Sequence, residues 1–143
     1  MQKYHNNKYE FGIILGFSCN SKCSHCLINS NQEVPISLSE ESIDNVVNNY
    51  KYIAKSTSQI IFTGGEPILY LDNIQTILTK LKNYIKKTPV KLITNGYFAN
   101  SINSCTILEK FPKLDEVVLS YDEYHTKYSA TNYIFNLQKY FIK

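Results

Sequence analysis

The chain has 143 residues, the length of one domain, and 43% of them are hydrophobic, which is enough for one core. Its net charge is +3, and its basic residues, all of them lysines, are spread along the chain rather than clustered. The composition therefore does not indicate nucleic acid as a partner. Residues 1–10 carry no signal-peptide core, and no window approaches the ~20 apolar residues of a membrane span. We expect a cytoplasmic protein with no membrane partner.

Four short apolar runs predict strands that are buried on both faces. They cover residues 11–17, 58–63, 90–94 and 116–120. Apolar residues recur at helical spacing between and after these runs, which predicts four strand–helix units. Alternation of this kind is typical of a parallel sheet with right-handed crossovers, so we predict a parallel α/β fold. Residues 11–143 would form its domain, after an N-terminal extension over residues 1–10.

The predicted helices have recognisable ends. Ser37-Leu38-Ser39-Glu40 has the capping-box pattern and predicts the start of the first helix. In the second, the apolar stripe reaches Ile85, with Lys86 and Lys87 in the last turn and Pro89 after it. The third and fourth predicted helices cover residues 101–111 and 130–141.

Residues 18–37 interrupt this pattern with a long segment that has no periodicity. Loops of that length inside a compact domain are usually functional or disordered, and we interpret this one as functional. It contains Cys19, Cys23 and Cys26 in the spacing C-x3-C-x2-C. In a reducing compartment, closely spaced cysteines indicate metal ligands or redox groups rather than disulfides.

Three thiolates in one loop can each hold a different corner of a cubane iron–sulfur cluster. The remaining cysteine, Cys105, falls far away in a predicted helix, where it is most simply a small core residue. The pattern therefore predicts a cluster with one iron open to a substrate or cofactor. The alternative is a structural zinc site with His25 as the fourth ligand, which its adjacency to Cys26 would strain.

Further polar groups and glycines follow the other three predicted strands. Because the carboxyl ends of parallel strands meet at one edge of a sheet, we expect one shared site there. The candidates are Gly64, Gly65, Glu66, Asn95, Ser120 and Asp122. Glycines allow a close approach to a ligand, and a carboxylate suits an amine. Each of these signals alone also fits an ordinary turn or cap.

Taken together, these motifs resemble those of the radical S-adenosylmethionine (radical SAM) superfamily. The cysteine run over residues 19–26 and the Gly-Gly-Glu-Pro sequence over residues 64–67 carry the resemblance. It extends through Thr94-Asn95-Gly96 and covers about residues 11 to 125. The implied fold is a partial TIM-type barrel, of which the chain shows a parallel (βα)4 portion.

The resemblance implies a [4Fe–4S] cluster on Cys19, Cys23 and Cys26, with S-adenosylmethionine bound at the open iron. One electron from the reduced cluster would cleave the sulfonium to methionine and a 5′-deoxyadenosyl radical, which abstracts hydrogen from a substrate. An electron donor such as flavodoxin or ferredoxin is implied. The substrate is unidentified, and a peptide is a candidate by analogy alone.

The same resemblance suggests a role for each remaining candidate. Gly64, Gly65 and Glu66 would face the methionyl amino group. Asn95, Ser120 and Asp122 would meet the ribose or carboxylate of the cofactor.

The family's core has more strand–helix units than the four visible here. We therefore expect a truncated or split member, or one completed by a second chain. Two alternatives to a radical enzyme stay open. One is a non-catalytic iron–sulfur module that works with a partner, and the other is a zinc-stabilised α/β domain with a binding role.

Overall fold

The computed structural model describes residues 9–30, 38–121 and 131–142, which form an α/β fold around one four-stranded sheet. The strands lie in chain order and every pairing is parallel, which confirms the predicted fold class. They are β1 (Tyr9–Ile14), β2 (Thr57–Thr63), β3 (Val90–Thr94) and β4 (Glu116–Leu119). Parallel neighbours in chain order require a crossover after each strand, and all four carboxyl ends consequently share one edge.

Three α-helices accompany the described part of the sheet: α1 (Glu40–Ile53), α2 (Leu71–Leu81) and α3 (Thr131–Phe141). Each carries apolar residues at helical spacing, and α2 buries four of them, Ile74, Ile77, Leu78 and Leu81. Short 3₁₀ helices complete the crossovers, including Pro67–Tyr70 directly before α2. Each helix therefore packs an apolar face into the core.

The predicted start of the first helix was wrong by two residues. Ser39, not Ser37, is the N-cap of α1, because its side-chain oxygen accepts a hydrogen bond from the Ser42 backbone N–H at 3.2 Å. Glu40 is accordingly the first residue of the helix rather than its capping partner. Ser37 itself lies outside the described residues.

Two further helix predictions were only partly right. The helix α2 ends at Leu81 because the backbone tightens into turns there, with Tyr84 N–H donating to the Leu81 carbonyl, although Ile85 stays buried. The segment predicted as a helix over residues 101–111 is a 3₁₀ helix, Asn103–Lys110. Its Ser and Thr hydroxyls bond to nearby groups, as when Thr106 Oγ1 donates to the Asn103 carbonyl at 2.7 Å, and this competes with α-helical bonding.

The first strand is shifted relative to the predicted residues 11–17. It begins at Tyr9 and ends at Ile14, but its pairing with β2 continues through the Leu15 N–H, which donates to the Thr63 carbonyl at 3.0 Å. Leu15 is fully buried, so the apolar run continues past the end of the strand into the loop.

One core lies between the sheet and its helices. Phe62 on β2 and Leu92 on β3 are fully buried, as is Tyr50 of α1, whose hydroxyl donates to Thr88 Oγ1 at 3.2 Å. This core holds the strands in fixed register and so fixes the relative positions of their ends. Within the described residues, none of the helices has the length and apolar character needed to span a bilayer.

Candidate cofactor site at the carboxyl edge of the sheet

A cavity of about 430 Å³ opens at the carboxyl edge of the sheet. Its size lies within the ~300–1,000 Å³ typical of small-molecule sites. It is lined by most of the residues that the sequence singles out: Cys19, Cys23, Cys26, Gly64, Gly65, Asn95 and Ser120. Glu66 is buried, at 3% exposure, and does not line the cavity. Asp122 lies outside the described residues.

Consecutive turns shape the loop that carries the cysteines. The Cys26 N–H donates to the Cys23 carbonyl at 3.2 Å, and the Asn29 N–H donates to the Cys26 carbonyl at 3.1 Å. Asn29 has a φ of 48°, a left-handed conformation that asparagine tolerates better than most residues. The chain then turns back, so that the Ser30 N–H donates to Cys26 Sγ at 3.3 Å.

The thiols differ in their surroundings. Burial raises the pKa of the Cys19 thiol, an effect that outweighs the hydrogen bond from the Ser21 N–H. Burial also raises the pKa of Cys26, but hydrogen bonds from residues 28–30 outweigh it, and the net pKa is lowered. The Cys19 thiol therefore retains its proton more strongly than the Cys26 thiol does, and a metal ion that binds Cys19 would have to displace that proton.

The two glycines after β2 lie against the backbone that leads into the cysteine loop. The Gly65 N–H donates to the Gly16 carbonyl at 2.8 Å, and a Cβ at Gly65 would overlap the Ser18 carbonyl oxygen. Gly64 has a φ of 130°, and a Cβ there would lie 2.9 Å from the Gly16 oxygen. These glycines therefore permit two loops to pack closely, in addition to bordering the cavity.

Glu66 connects the ends of β2 and β3. Its Oε1 accepts a hydrogen bond from Thr94 Oγ1 at 2.6 Å, and its Oε2 accepts one from the Asn95 N–H at 2.9 Å. The Ile68 N–H, in the following 3₁₀ helix, also donates to Oε1 at 3.3 Å. Burial raises the pKa of this carboxyl even though all these donors favour its charged form.

Asn95 reaches from the end of β3 to the start of the cysteine loop. Its Nδ2 donates to Asn20 Oδ1 at 2.7 Å and to Ser21 Oγ at 3.0 Å, and it lies 3.7 Å from Cys19 Sγ. Its Oδ1 accepts a hydrogen bond from the Tyr97 N–H at 2.9 Å. The side chain thus joins the sheet to the loop while it lines the cavity.

Sequence reasoning missed a contact that anchors the same loop. Tyr70 is only 6% exposed, and its hydroxyl accepts a hydrogen bond from the Ser18 N–H at 2.5 Å. Its position at the end of the 3₁₀ helix after Pro67 brings it there. Nothing in the local pattern distinguishes this tyrosine from the other tyrosines of the chain, so no sequence signal could have found it.

Cys105 lies apart from this cavity. It is fully buried, and its Sγ donates to the Ser101 carbonyl at 3.4 Å. All four cysteines fall within the described residues and carry thiols rather than disulfides. Cys105 therefore occupies the packing position that its place on the apolar side of a helix predicts.

The donors around the cavity fit an iron–sulfur cluster in their chemistry. A cubane takes each thiolate on a different iron, so its ligands border a space instead of meeting at one point. Cys19, Cys23 and Cys26 all border the same cavity. Across residues 9–30, 38–121 and 131–142, no three His, Cys, Asp or Glu side chains are gathered closely enough to hold a single metal ion.

The comparison with protein families agrees with this arrangement. A model of the radical SAM superfamily matches residues 13–135, which is most of the chain. The chain belongs to the radical SAM superfamily. A comparison with curated proteins found no match. The family match spans the cysteine loop and all the candidate positions that follow β2, β3 and β4.

Proposed function

We propose that this radical SAM protein binds a [4Fe–4S] cluster through Cys19, Cys23 and Cys26, and S-adenosylmethionine in the adjoining cavity. The observation that carries the proposal is that the three cysteines and the Gly64-Gly65 turn line one cavity at the carboxyl edge of a parallel sheet. When bound, the cluster would supply one electron to cleave the sulfonium into methionine and a 5′-deoxyadenosyl radical, which abstracts hydrogen from a substrate.

The residues of the chain would bind and orient these cofactors. The cysteine thiolates would hold three irons of the cluster and leave the fourth available to S-adenosylmethionine. Gly64 and Gly65 border the cavity on the β2 side, and Asn95 and Ser120 border it at the ends of β3 and β4. Apolar side chains, among them Ile14 and Ile93, line the same cavity and would exclude water from the reacting atoms.

Glu66 stays a candidate for contact with the methionyl amino group. Both of its carboxylate oxygens accept hydrogen bonds from the protein, and the residue is 3% exposed. A carboxylate has about four acceptor sites, so an approaching amine need not displace Thr94 or Asn95. The neighbouring glycines would contact the same amino group, and Asp122 stays a candidate for the ribose.

Partners follow from the same proposal. Cleavage requires an electron donor, such as flavodoxin or ferredoxin, and the cytoplasm would keep the thiols reduced for cluster assembly. The substrate is an unidentified molecule, with a peptide as one candidate. A second chain that pairs with β4 is a further candidate partner, because β4 is one of the two edge strands of the described sheet.

Anaerobic reconstitution with iron and sulfide, followed by dithionite and S-adenosylmethionine, tests the proposal. We expect a brown protein that binds about four irons per chain and releases 5′-deoxyadenosine. Alanine at Cys19, Cys23 or Cys26 should abolish cluster uptake, whereas Cys105→Ala is the matched control and should retain it. Iron uptake without cleavage would favour the non-catalytic module, and zinc uptake without iron would contradict the proposal.

A further inference from the structure

We propose that Glu66 and Asn95 form a positioning relay that fixes Cys19 before any cluster binds. The relay consists of two buried side chains in series: Glu66 holds Asn95, and Asn95 holds the first turn of the cysteine loop. This inference concerns the apoprotein, and only its consequence for the cluster rests on the proposed function.

The first half of the relay fixes the backbone at the end of β3. Glu66 accepts hydrogen bonds from Thr94 Oγ1 at 2.6 Å and from the Asn95 N–H at 2.9 Å, one on each carboxylate oxygen. Hydrogen bonds to a charged acceptor are stronger than neutral ones, and a buried carboxylate loses much if a donor is removed. The Thr94–Asn95 peptide therefore has little freedom to rotate.

The second half fixes which way the Asn95 amide points. Its Oδ1 accepts the Tyr97 N–H at 2.9 Å, which requires Nδ2, the donor, to face the cysteine loop. There Nδ2 meets the acceptors of Asn20 and Ser21 at 2.7 and 3.0 Å. Asn95 is 8% exposed as a residue, so water has little access to replace these bonds.

The cysteines differ in how they are held. Cys26 Sγ accepts the Ser30 N–H from within its own loop. Cys19 Sγ accepts the Ser21 N–H at 3.3 Å and also lies 3.7 Å from Asn95 Nδ2, which belongs to a strand of the sheet. Cys19 therefore connects the loop to the rigid sheet, in contrast to the contact of Cys26 within its own loop.

The relay has a consequence for a bound cluster. Hydrogen bonds to the ligating sulfurs raise the reduction potential of an iron–sulfur cluster. The Asn95 amide, which the sheet holds beside Cys19, would therefore make the cluster easier to reduce than it would be without this donor. Loss of Asn95 should consequently shift the potential to a more negative value.

The first measurement uses the reduced apoprotein under anaerobic conditions. The alkylation rate of Cys19 by iodoacetamide, followed by mass spectrometry and expressed per thiolate from its pH dependence, reports how accessible this sulfur is. We expect Asn95→Ala to raise the rate about 10-fold and Glu66→Gln about 3-fold, with Cys26 changing less than 2-fold. Matched controls are Asn136→Ala, which removes one hydrogen bond to the Ala99 carbonyl, and Glu109→Gln, which alters a surface bond to Tyr140.

A double-mutant cycle tests whether the two side chains act in series. If Glu66 acts through Asn95, Glu66→Gln should add nothing to the Cys19 rate once Asn95 is alanine. Additive rates would overturn the relay, as would an unchanged rate in Asn95→Ala. Should that variant not fold, Asn20→Ala removes the same 2.7 Å bond from the loop side, and it must then accelerate Cys19 for the relay to stand.

The second measurement is the midpoint potential of the reconstituted cluster. It should become more negative in Asn95→Ala and stay unchanged in Asn136→Ala, which a general loss of stability would not produce. An unchanged potential in a folded, loaded Asn95→Ala would contradict the influence on the cluster. If the wild-type protein takes up no cluster, the proposed function fails, while the alkylation rates still decide the relay.

Discussion

The carboxyl ends of β2 and β3 differ from the carboxyl end of β4 in how their polar groups are used. At β2 and β3, Glu66 and Thr94 are almost completely buried and bond to each other. At β4, Ser120 is half-buried and borders the cavity, with its backbone N–H donating to the Thr94 carbonyl at 2.8 Å. Tyr121, which follows, is 45% exposed.

The core residues of β2 and β3 are also packed more tightly than those of β4. The side chains of Phe62 and Leu92 are fully enclosed, whereas Val117 and Leu119 of β4 are only partly buried and line an apolar groove beside α3. The tight region shapes the cysteine loop, and the open region leaves room for ligands. Substitutions should therefore disturb structure on the first side and binding on the second.

Gly65→Ala should give the largest effect, because it places a Cβ against the carbonyl oxygen of Ser18. That oxygen also accepts the Glu66 N–H at 2.8 Å, so it cannot move away without loss of a hydrogen bond. We expect a loss of about 2–3 kcal/mol in the free energy of unfolding, together with reduced cluster uptake. Anaerobic guanidinium unfolding followed by circular dichroism measures the first effect.

Gly12→Ala is the matched control for this substitution. Gly12 lies exposed in β1, and a Cβ there would meet no atom within 4 Å. Alanine should be neutral or stabilise the strand by up to about 1 kcal/mol. Equal effects at the two glycines would mean that close packing against the cysteine loop does not explain Gly65.

Tyr70→Phe should have an intermediate effect. It removes the hydroxyl that accepts the Ser18 N–H at 2.5 Å and keeps the buried ring. Because that donor lies in a partly buried loop, we expect a loss of about 1–2 kcal/mol. In Tyr140→Phe, which removes an exposed hydrogen bond to Glu109, the loss should stay below about 0.5 kcal/mol. Thermal unfolding of both apoproteins provides the comparison, and similar losses would contradict it.

The strands could be located from sequence because each contains a short apolar run. The expectation that all of them are buried on both faces was wrong for β1, in which only Ile13 is buried, and for β4, in which no residue is. β3 has the predicted bounds, and β2 and β4 differ from prediction by one residue. Helix ends were harder, as α2 shows: Ile85 continues the apolar stripe and is buried, yet it lies beyond the end of the helix at Leu81. Burial alone does not report the backbone hydrogen bonding that ends a helix.

The grouping of the candidate residues was also predictable, since strand order places their loops at one edge. The hydrogen-bond partners of Glu66 could not be predicted. Its partners Thr94 and Asn95 belong to a different strand, and only the register of β2 against β3 brings their donors to its two oxygens. A sequence indicates a carboxylate after a strand but not whether internal donors or a ligand will occupy it.

Ser120→Ala should have the smallest effect on stability and so sharpen the contrast with Thr94 on the neighbouring strand. Thr94→Val removes the Oγ1 that donates to Glu66 at 2.6 Å and accepts the Gly96 N–H at 3.0 Å, so it should cost about 1–3 kcal/mol. Ser120→Ala should change the free energy of unfolding by less than about 0.5 kcal/mol. If Ser120 contacts the cofactor, S-adenosylmethionine should bind the reconstituted protein about 2–10-fold more weakly, as measured by equilibrium dialysis. An equal loss of stability at Ser120 and Thr94 would show that the end of β4 is as tightly bonded as the end of β3. The division between a structural side and a binding side would then be wrong.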